Sequence, residues 1–375
     1  MHFKPRNYAL RRYIAGLTAS IVAIAMLLAG QAASGRFALI STAESVTADG
    51  KFHVVGTSII GPDGQPFTPR GVNKNSLEIT ATGWEMKYWY FQRMKSWGVN
   101  FVRLPLSSSF WLPSMCTYDP NYAARVDWIV NAAASMKMMI VLDNHASTQG
   151  RTCGSAGWTA TNFKMADERS LEFVQSLAER YKDNPWVAFD LFNEPHDISW
   201  QVWRDGGMVD GWKAVGMQQM LDAVRSTGAT NLVFVSGNQW ANDLRGVTNF
   251  PLLNDANVVY AAHTYPIYCN SIYVPWNQPY SCNGKQYPSF LDTMIAPAAA
   301  KRAVMITEFG TKRPIAGEIS SVIEWAESHN VGWAAWLWCG GPVTSYCLLM
   351  PGYEDTASVT GQPVRDALAP YRVAS

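Results

Sequence analysis

Apolar residues along this chain fall into two alternating patterns. Eight short runs are apolar at nearly every position: Arg70–Asn73, Phe101–Leu106, Met138–His145, Val187–Phe192, Asn231–Ser236, Val258–His263, Ala303–Thr307 and Gly332–Trp338. Continuous rather than alternating apolarity is the mark of strands buried on both faces. Between the runs the period changes to that of a helix. Tyr122, Val126, Ile129/Val130 and Ala133 make one face, started by Asp119-Pro120. Leu171, Val174, Leu177, Ala178 and Tyr181 make a second, ended by Asn184-Pro185, and Met217, Met220, Leu221 and Val224 a third, stopped by Gly228. The runs lie roughly 25–50 residues apart, room for a crossover helix each. Strand-helix repetition predicts parallel α/β architecture, and eight repeats predict a closed (β/α)8 TIM barrel. No Gly-x-Gly-x-x-Gly follows the first run, which argues against a dinucleotide-binding open sheet.

The ends of the chain read differently. Phe52–Ile60 and Pro66–Pro69 flank the turn signal Gly61-Pro-Asp-Gly64, predicting an N-terminal β-hairpin that closes the barrel bottom. Gly361 to Tyr371 predicts the closing helix. Lys4, Arg6, Arg11 and Arg12 precede an apolar stretch from Ile14 to Ala29 and then small residues. Residues 1–35 therefore read as an export signal cut near Ala32 or Ala33, with an uncleaved anchor as the alternative. Residues 36–50 read as a linker and 51–375 as a single catalytic domain, secreted to the extracellular side.

Composition sharpens this picture. With 48% hydrophobic and 16% charged residues the chain can bury a large core. A net charge of +1, with no basic block beyond the N-terminus, points away from nucleic acid. Six cysteines suit an exported protein and allow 15 pairings in principle. Cys269 and Cys282 share one loop and Cys339 and Cys347 another, leaving Cys116 with Cys153. All six follow predicted strands, so the bridges are expected to stiffen loops on one face of the barrel. No CxxC spacing or His cluster supports zinc instead.

Candidate chemistry gathers where the apolar runs stop: Arg103, His145, Asn193, Glu194, His263, Tyr265, Glu308 and Trp338. In a parallel barrel that end of the strands carries the catalytic groups. Two carboxylates there, Glu194 and Glu308, suit glycosidic hydrolysis, which needs an acid/base and a second carboxyl. Partial burial and a negative neighbour would raise the pKa of Glu194, fitting it to be the acid. Asn193 and Glu194 are adjacent, so for both to face one substrate the strand must bulge or end there. A metal-dependent hydrolase using Asp143, His145 and His263 is a rival reading, but their spacing matches no strong metal motif and no cofactor is expected.

Asn193-Glu194-Pro195 and Thr307-Glu308-Phe309-Gly310, together with the other strand-end residues, make the chain resemble glycoside hydrolase family 5, from about Gly50 to Tyr371. That resemblance implies a retaining (β/α)8 enzyme with Glu194 as acid/base, Glu308 as nucleophile and Asn193 on the sugar 2-hydroxyl. It implies Arg103 and Tyr265 holding the nucleophile, His145 and His263 orienting substrate, and Trp338 as a sugar platform. The expected partner is a β-linked polysaccharide, met by a monomer with no obligate protein partner. Sixteen Trp, many near loops after strands, suit an open cleft for a sugar chain. The expected activity is an endo-β-1,4-glucanase on soluble β-glucan. A mannanase or xyloglucanase of the same family, or a non-catalytic carbohydrate-binding barrel, is the alternative.

Overall fold

Inside a closed barrel only every second side chain of a strand points to the axis, and the inward positions here divide into an apolar half and a polar half. The computed structural model describes residues 50–372, apart from 84–85, 156–158, 254–255, 270–271, 275, 283–284, 288 and 342–344. The expected export signal (1–35) and all but the last residue of the linker (36–50) lie outside the described residues. Eight parallel strands close in chain order: β1 (Arg70–Asn73), β2 (Phe101–Leu106), β3 (Met139–Asn144), β4 (Val187–Asp190), β5 (Val233–Ser236), β6 (Val258–Thr264), β7 (Val304–Phe309) and β8 (Gly332–Ala335). The (β/α)8 architecture is the predicted one, with β4 and β8 ending sooner than the apolar runs do.

The outward strand residues Val102, Leu104, Ile140, Leu142 and Phe189 meet the helical layer in one large core. Its main helices are α1 (Tyr88–Trp97), α2 (Tyr122–Ser135), α3 (Glu168–Tyr181), α4 (Met217–Ser226), α5 (Ala316–Ser328) and α6 (Gly361–Leu368). The faces predicted for α2 and α4 are the buried ones, and in α3 Phe173 joins Val174 and Leu177. Gly71 is required where β1 meets β2, because a Cβ there would lie 1.8 Å from the Phe101 carbonyl oxygen. Among the described residues no helix is long and apolar enough to cross a membrane.

The inward apolar half is a separate cluster at the N-terminal end of the strands: Phe101, Met139, Val141, Ala188, Phe234, Val259, Met305 and Ala334. Phe52 and Ile59 plug it from below, Phe52 lying edge-on to Phe67 (4.7 Å) and Trp186 (5.5 Å). The bottom-closing role predicted for the hairpin is thus present, with a different turn. His53–Val55 pairs with Ser58–Ile60 inside the first run, around Gly56 at φ +63°. The Gly61–Gly64 turn then adds a third segment, through a Phe67 N–H bond to the Ile59 carbonyl (2.8 Å). A left-handed glycine let the chain reverse earlier than the more obvious Pro-Asp-Gly signal suggested.

Because Phe52 seals the barrel interior from water, Phe52→Ala should lower the unfolding free energy by about 3–5 kcal/mol. Denaturant titration with unchanged unfolding cooperativity would measure this, and a loss below about 1 kcal/mol would contradict the plug.

Candidate active site

Above the apolar plug the inward positions turn polar: Asn73, Arg103, Asp143 and Asp190. The ladder register pairs Asn73 with Arg103 across β1 and β2, and Asp143 with Asp190 across β3 and β4. Arg103 is fully buried, yet each of its nitrogens meets an oxygen. Nε donates to Asp190 Oδ2 (2.9 Å), Nη1 to Glu308 Oε1 (2.5 Å) and Asn73 Oδ1 (3.2 Å), and Nη2 to Asn193 Oδ1 (2.8 Å). Nη2 also lies 3.0 Å from Asp143 Oδ1, as an ion pair off the hydrogen-bonding direction. Burial alone would lower the pKa of Arg103, but Asp143, Asp190 and Glu308 outweigh it and push it above its ordinary value.

The two glutamates reach the cavity by two backbone irregularities. In β7 the register to β6 shifts, so that Ala262 pairs with Ile306 but His263 with Glu308. Met305 points inward, so regular alternation would turn Glu308 outward; the extra residue re-aims it. On the other side β4 stops at Asp190, which frees Asn193 and Glu194 from alternation. Asn193 gives its oxygen to Arg103, leaving its amide nitrogen for a ligand.

Glu308 is held at both oxygens, Oε1 by Arg103 and Oε2 by the Tyr265 hydroxyl (2.7 Å). Glu194 is also held twice, with His263 Nδ1 2.8 Å from Oε1 and the Asn162 amide donating to Oε2 (2.6 Å). Among the described residues His263 Nε2 has no partner, and Nδ1, facing the Glu194 carboxylate, carries a proton directed at it. Burial pushes the Glu194 carboxyl up, but the hydrogen bond and charge of His263, the charge of His145 and Asn162 together hold it below its ordinary value. The raised pKa expected from sequence is therefore not that of the free protein: His263 on β6, two strands away, His145 and a loop amide outweigh burial.

One atom from each of Glu194, His263 and Glu308 lies within 4.8 Å of the others. A divalent cation fits such spacing, but Arg103 on Glu308 opposes a second positive charge there. The rival metal set is not gathered: Asp143 Oδ2 is bonded to His145 Nδ1 (2.7 Å), while His263 faces Glu194. Burial lowers the affinity of His145 for its proton, but Asp143, Glu308 and Glu78 outweigh it, so its pKa is pushed up to about 9.

The structure corrects the platform assignment. Trp338 is 0% exposed and packs edge-on against Trp97 at 4.8 Å, in the helix-side core, with no face for a sugar. Trp336, by contrast, is half-buried and lies parallel to His145, with ring centroids 5.8 Å apart. The run Trp333-x-x-Trp336-x-Trp338 reads as one strand, but β8 ends at Ala335, so strand alternation no longer applies beyond it. Asn73, Asp143, Asp190 and Asn162 were also absent from the predicted site. The first three sit at inward positions of predicted strands, where their parity with Arg103 could have found them; Asn162 lies in a loop with no such signal.

Cys116–Cys153 and Cys339–Cys347 are bonded as expected, with Cα atoms 5.9 and 4.8 Å apart. The side chains of Cys269 and Cys282 lie outside the described residues. Of the other loop tryptophans, Trp111, Trp203 and Trp276 are core, Trp84 and Trp158 lie outside the described residues, and Trp240 is 42% exposed.

Two predictions follow from this geometry. Since His145 is raised in the folded state from about 6.5, its stabilising contribution is complete below about pH 6.5 and lost as pH rises through about 9. Urea unfolding should therefore show stability falling over that range, and His145→Gln should flatten the fall; an unchanged slope would refute the Asp143 pairing. Trp338→Ala should cost about 3–5 kcal/mol of stability. Trp336→Ala should cost under about 1 kcal/mol but reduce kcat/KM roughly tenfold or more. The reverse pattern would restore Trp338 as the platform.

Comparison with known proteins gives the same picture. The family model for Cellulase (glycosyl hydrolase family 5) matches residues 61–341. An endoglucanase of Paenibacillus polymyxa is 26% identical over 337 residues, covering 79% of each chain. A β-glucanase of Saccharophagus degradans, solved in complex with cellotetraose, superposes with a TM-score of 0.67 at 20% identity, over 86% of this chain and 94% of its own. The catalytic domain of the Thermobifida fusca endoglucanase Cel5A does so with a TM-score of 0.61 at 17% identity, over 85% and 97%. With the barrel, the strand-end glutamates and the family match in agreement, the chain belongs to glycosyl hydrolase family 5 and is a glycoside hydrolase.

Proposed function

We propose that the chain is an exported, retaining endo-β-1,4-glucanase that cleaves soluble β-glucan by double displacement. The spacing of Glu194 and Glu308 carries this reading: carboxylate oxygens within 4.8 Å leave no room for an attacking water between them. Glu308, fixed by Arg103 and Tyr265, attacks the anomeric carbon while Glu194 protonates the leaving oxygen. Water then enters on the vacated side, Glu194 removes its proton, and the ester to Glu308 breaks. Glu194 must first take up a proton as substrate binds. An arriving glycosidic oxygen is a hydrogen-bond acceptor and displaces water, and both effects favour the protonated carboxyl. Asn193 Nδ2 meets the 2-hydroxyl, a contact that tightens as the ring flattens.

Aromatic platforms on both sides of the scissile point support attack within a chain. Trp336 stands beside His145 on the nucleophile side. Trp240 adjoins the acid/base: its N–H bonds the Pro195 carbonyl (2.9 Å) and its ring stacks on His196 at 3.5 Å. The cellotetraose in the Saccharophagus degradans structure supports a β-glucan as substrate. The basic and apolar N-terminal segment and the two loop disulfides support export.

Reducing-sugar assays on carboxymethyl-cellulose, barley glucan, mannan, xyloglucan and laminarin test the substrate, with barley glucan and carboxymethyl-cellulose expected to lead. Proton NMR of the first product should show the β-anomer. Glu308→Ala should lower activity by about 10⁴-fold or more, with azide partly restoring it as the α-glycosyl azide. Near-normal hydrolysis by Glu308→Ala, or an α-anomer from the unaltered enzyme, would reject the mechanism.

A further inference from the structure

We infer that Asn162 is a positioning residue for the acid/base step, clamping Glu194 as a carboxylate through its side-chain amide. This rests on Glu194 being the acid/base, as proposed above. Asn162 Nδ2 is 2.6 Å from Glu194 Oε2, and His263 holds the other oxygen, so the carboxylate is pinned at both ends. Only one orientation of the amide is sensible here, since turning it over would set its oxygen against a carboxylate oxygen.

The contact is not that of a loose surface side chain. Asn162 lies in the long connection between β3 and α3, and its flanks are tied down repeatedly. Ser147 and Thr161 exchange backbone hydrogen bonds (3.0 and 2.9 Å), the Ser147 hydroxyl bonds the Met165 carbonyl (2.9 Å), and Ala160 N–H bonds Ser109 Oγ (2.7 Å). His196 N–H, two residues beyond Glu194, bonds the Lys164 carbonyl (3.0 Å). The buried Asp167 caps α3 through Ser170 N–H (3.1 Å) and also takes Thr148 N–H (3.2 Å) and Gly150 N–H (3.1 Å). Cys116–Cys153 joins the same connection to the loop after β2. Asn162 is thus presented to Glu194 from a fixed frame.

An amide N–H can only donate, so it stabilises the charged carboxylate and opposes the protonated acid. In the first chemical step Glu194 must carry a proton, so this bond has to be exchanged for one to substrate; in the second step it helps Glu194 act as base. The other titratable groups around Glu194 are His263, His145, His196, Tyr265 and Glu308, and, His145 at its start apart, none of them lies on the connection that carries residue 162. Residue 162 therefore offers a way to change the proton affinity of Glu194 without altering any of those groups.

The test compares the unaltered protein with Asn162→Ala and the near-isosteric Asn162→Asp. The pH profile of kcat/KM on barley glucan should keep its acid limb. Its alkaline limb, which reports loss of the Glu194 proton, should move up by about one pH unit in Asn162→Ala. In Asn162→Asp, which sets a second negative charge beside Glu194, it should move further. A merely structural role would lower kcat/KM without that ordered shift. In parallel, 13C NMR of glutamate-labelled full-length protein, with Glu194 assigned by its loss in Glu194→Gln, should show its titration rising in the same order. An active enzyme whose alkaline limb and Glu194 titration stay put in both variants overturns the inference. If the unaltered protein cleaves no β-glucan, the functional proposal fails instead, and the carboxyl titration still decides the role of Asn162.

Discussion

A single guanidinium at the centre of the barrel fixes where the chemistry can happen. Arg103 has no exposure to solvent, and its three nitrogens reach oxygens on β1, β3, β4, β7 and the segment after β4. A buried cation of this kind is tolerable only when paired and hydrogen-bonded, and here the pairing is spread across most of the barrel. The planar five-donor fork can span Asp190, Glu308 and Asn193 at once; an ammonium could not. Glu308 consequently inherits its position from the barrel itself rather than from a loop. The apolar plug beneath, completed by Phe52 and Ile59, keeps water from the network from below.

Charge around the cavity is balanced in an uneven way. Four carboxyls, Asp143, Asp190, Glu194 and Glu308, face Arg103 and a His145 whose raised pKa keeps it cationic at neutral pH. Asp190 illustrates the tension: burial pushes its pKa up, Arg103 pulls it down, and burial with the neighbouring Asp143 wins. The two catalytic candidates differ in their holders. Glu308 has an arginine and a phenol, both anchored by barrel strands or their ends; Glu194 has a histidine and an amide from a loop. A nucleophile must stay ionised and still, whereas an acid/base must gain and lose a proton within one turnover. The division of holders matches that division of labour.

Much of this was readable from the chain, for a physical reason. Strands buried on both faces need unbroken apolar runs, so all eight barrel strands stood out, with the faces of α2, α3 and α4 between them. Polar residues closing such runs are costly unless used, which is why Arg103, His145, Asn193, Glu194, His263, Tyr265 and Glu308 could be picked out, and all seven join one network of hydrogen bonds and ion pairs. What failed depended on where a strand stops. Trp338 looked like a continuation of β8, but that strand ends three residues earlier and the ring turns into the core against Trp97. The bulge that turns Glu308 inward leaves no trace in composition, and Asn162 is one polar residue in a polar loop.

Asn162 and Trp240 share a property that bears on how family members with one barrel can differ in activity. Both reach Glu194 or the residue after it from loops, through contacts that no strand register dictates. Trp240 lies in a stretch, Gln239–Ala241, where three successive non-glycine residues adopt left-handed backbone angles, an arrangement that persists only when its surroundings enforce it. Its ring is braced by His196, and its backbone by the Pro195 carbonyl. Glu308 is therefore set by the barrel and its strand ends, while Glu194 divides its anchoring between His263 on β6 and Asn162 on a loop fastened to the barrel. Substitution in those loops can alter which leaving group is held, and when its proton arrives, without disturbing the Arg103 network on which Glu308 depends.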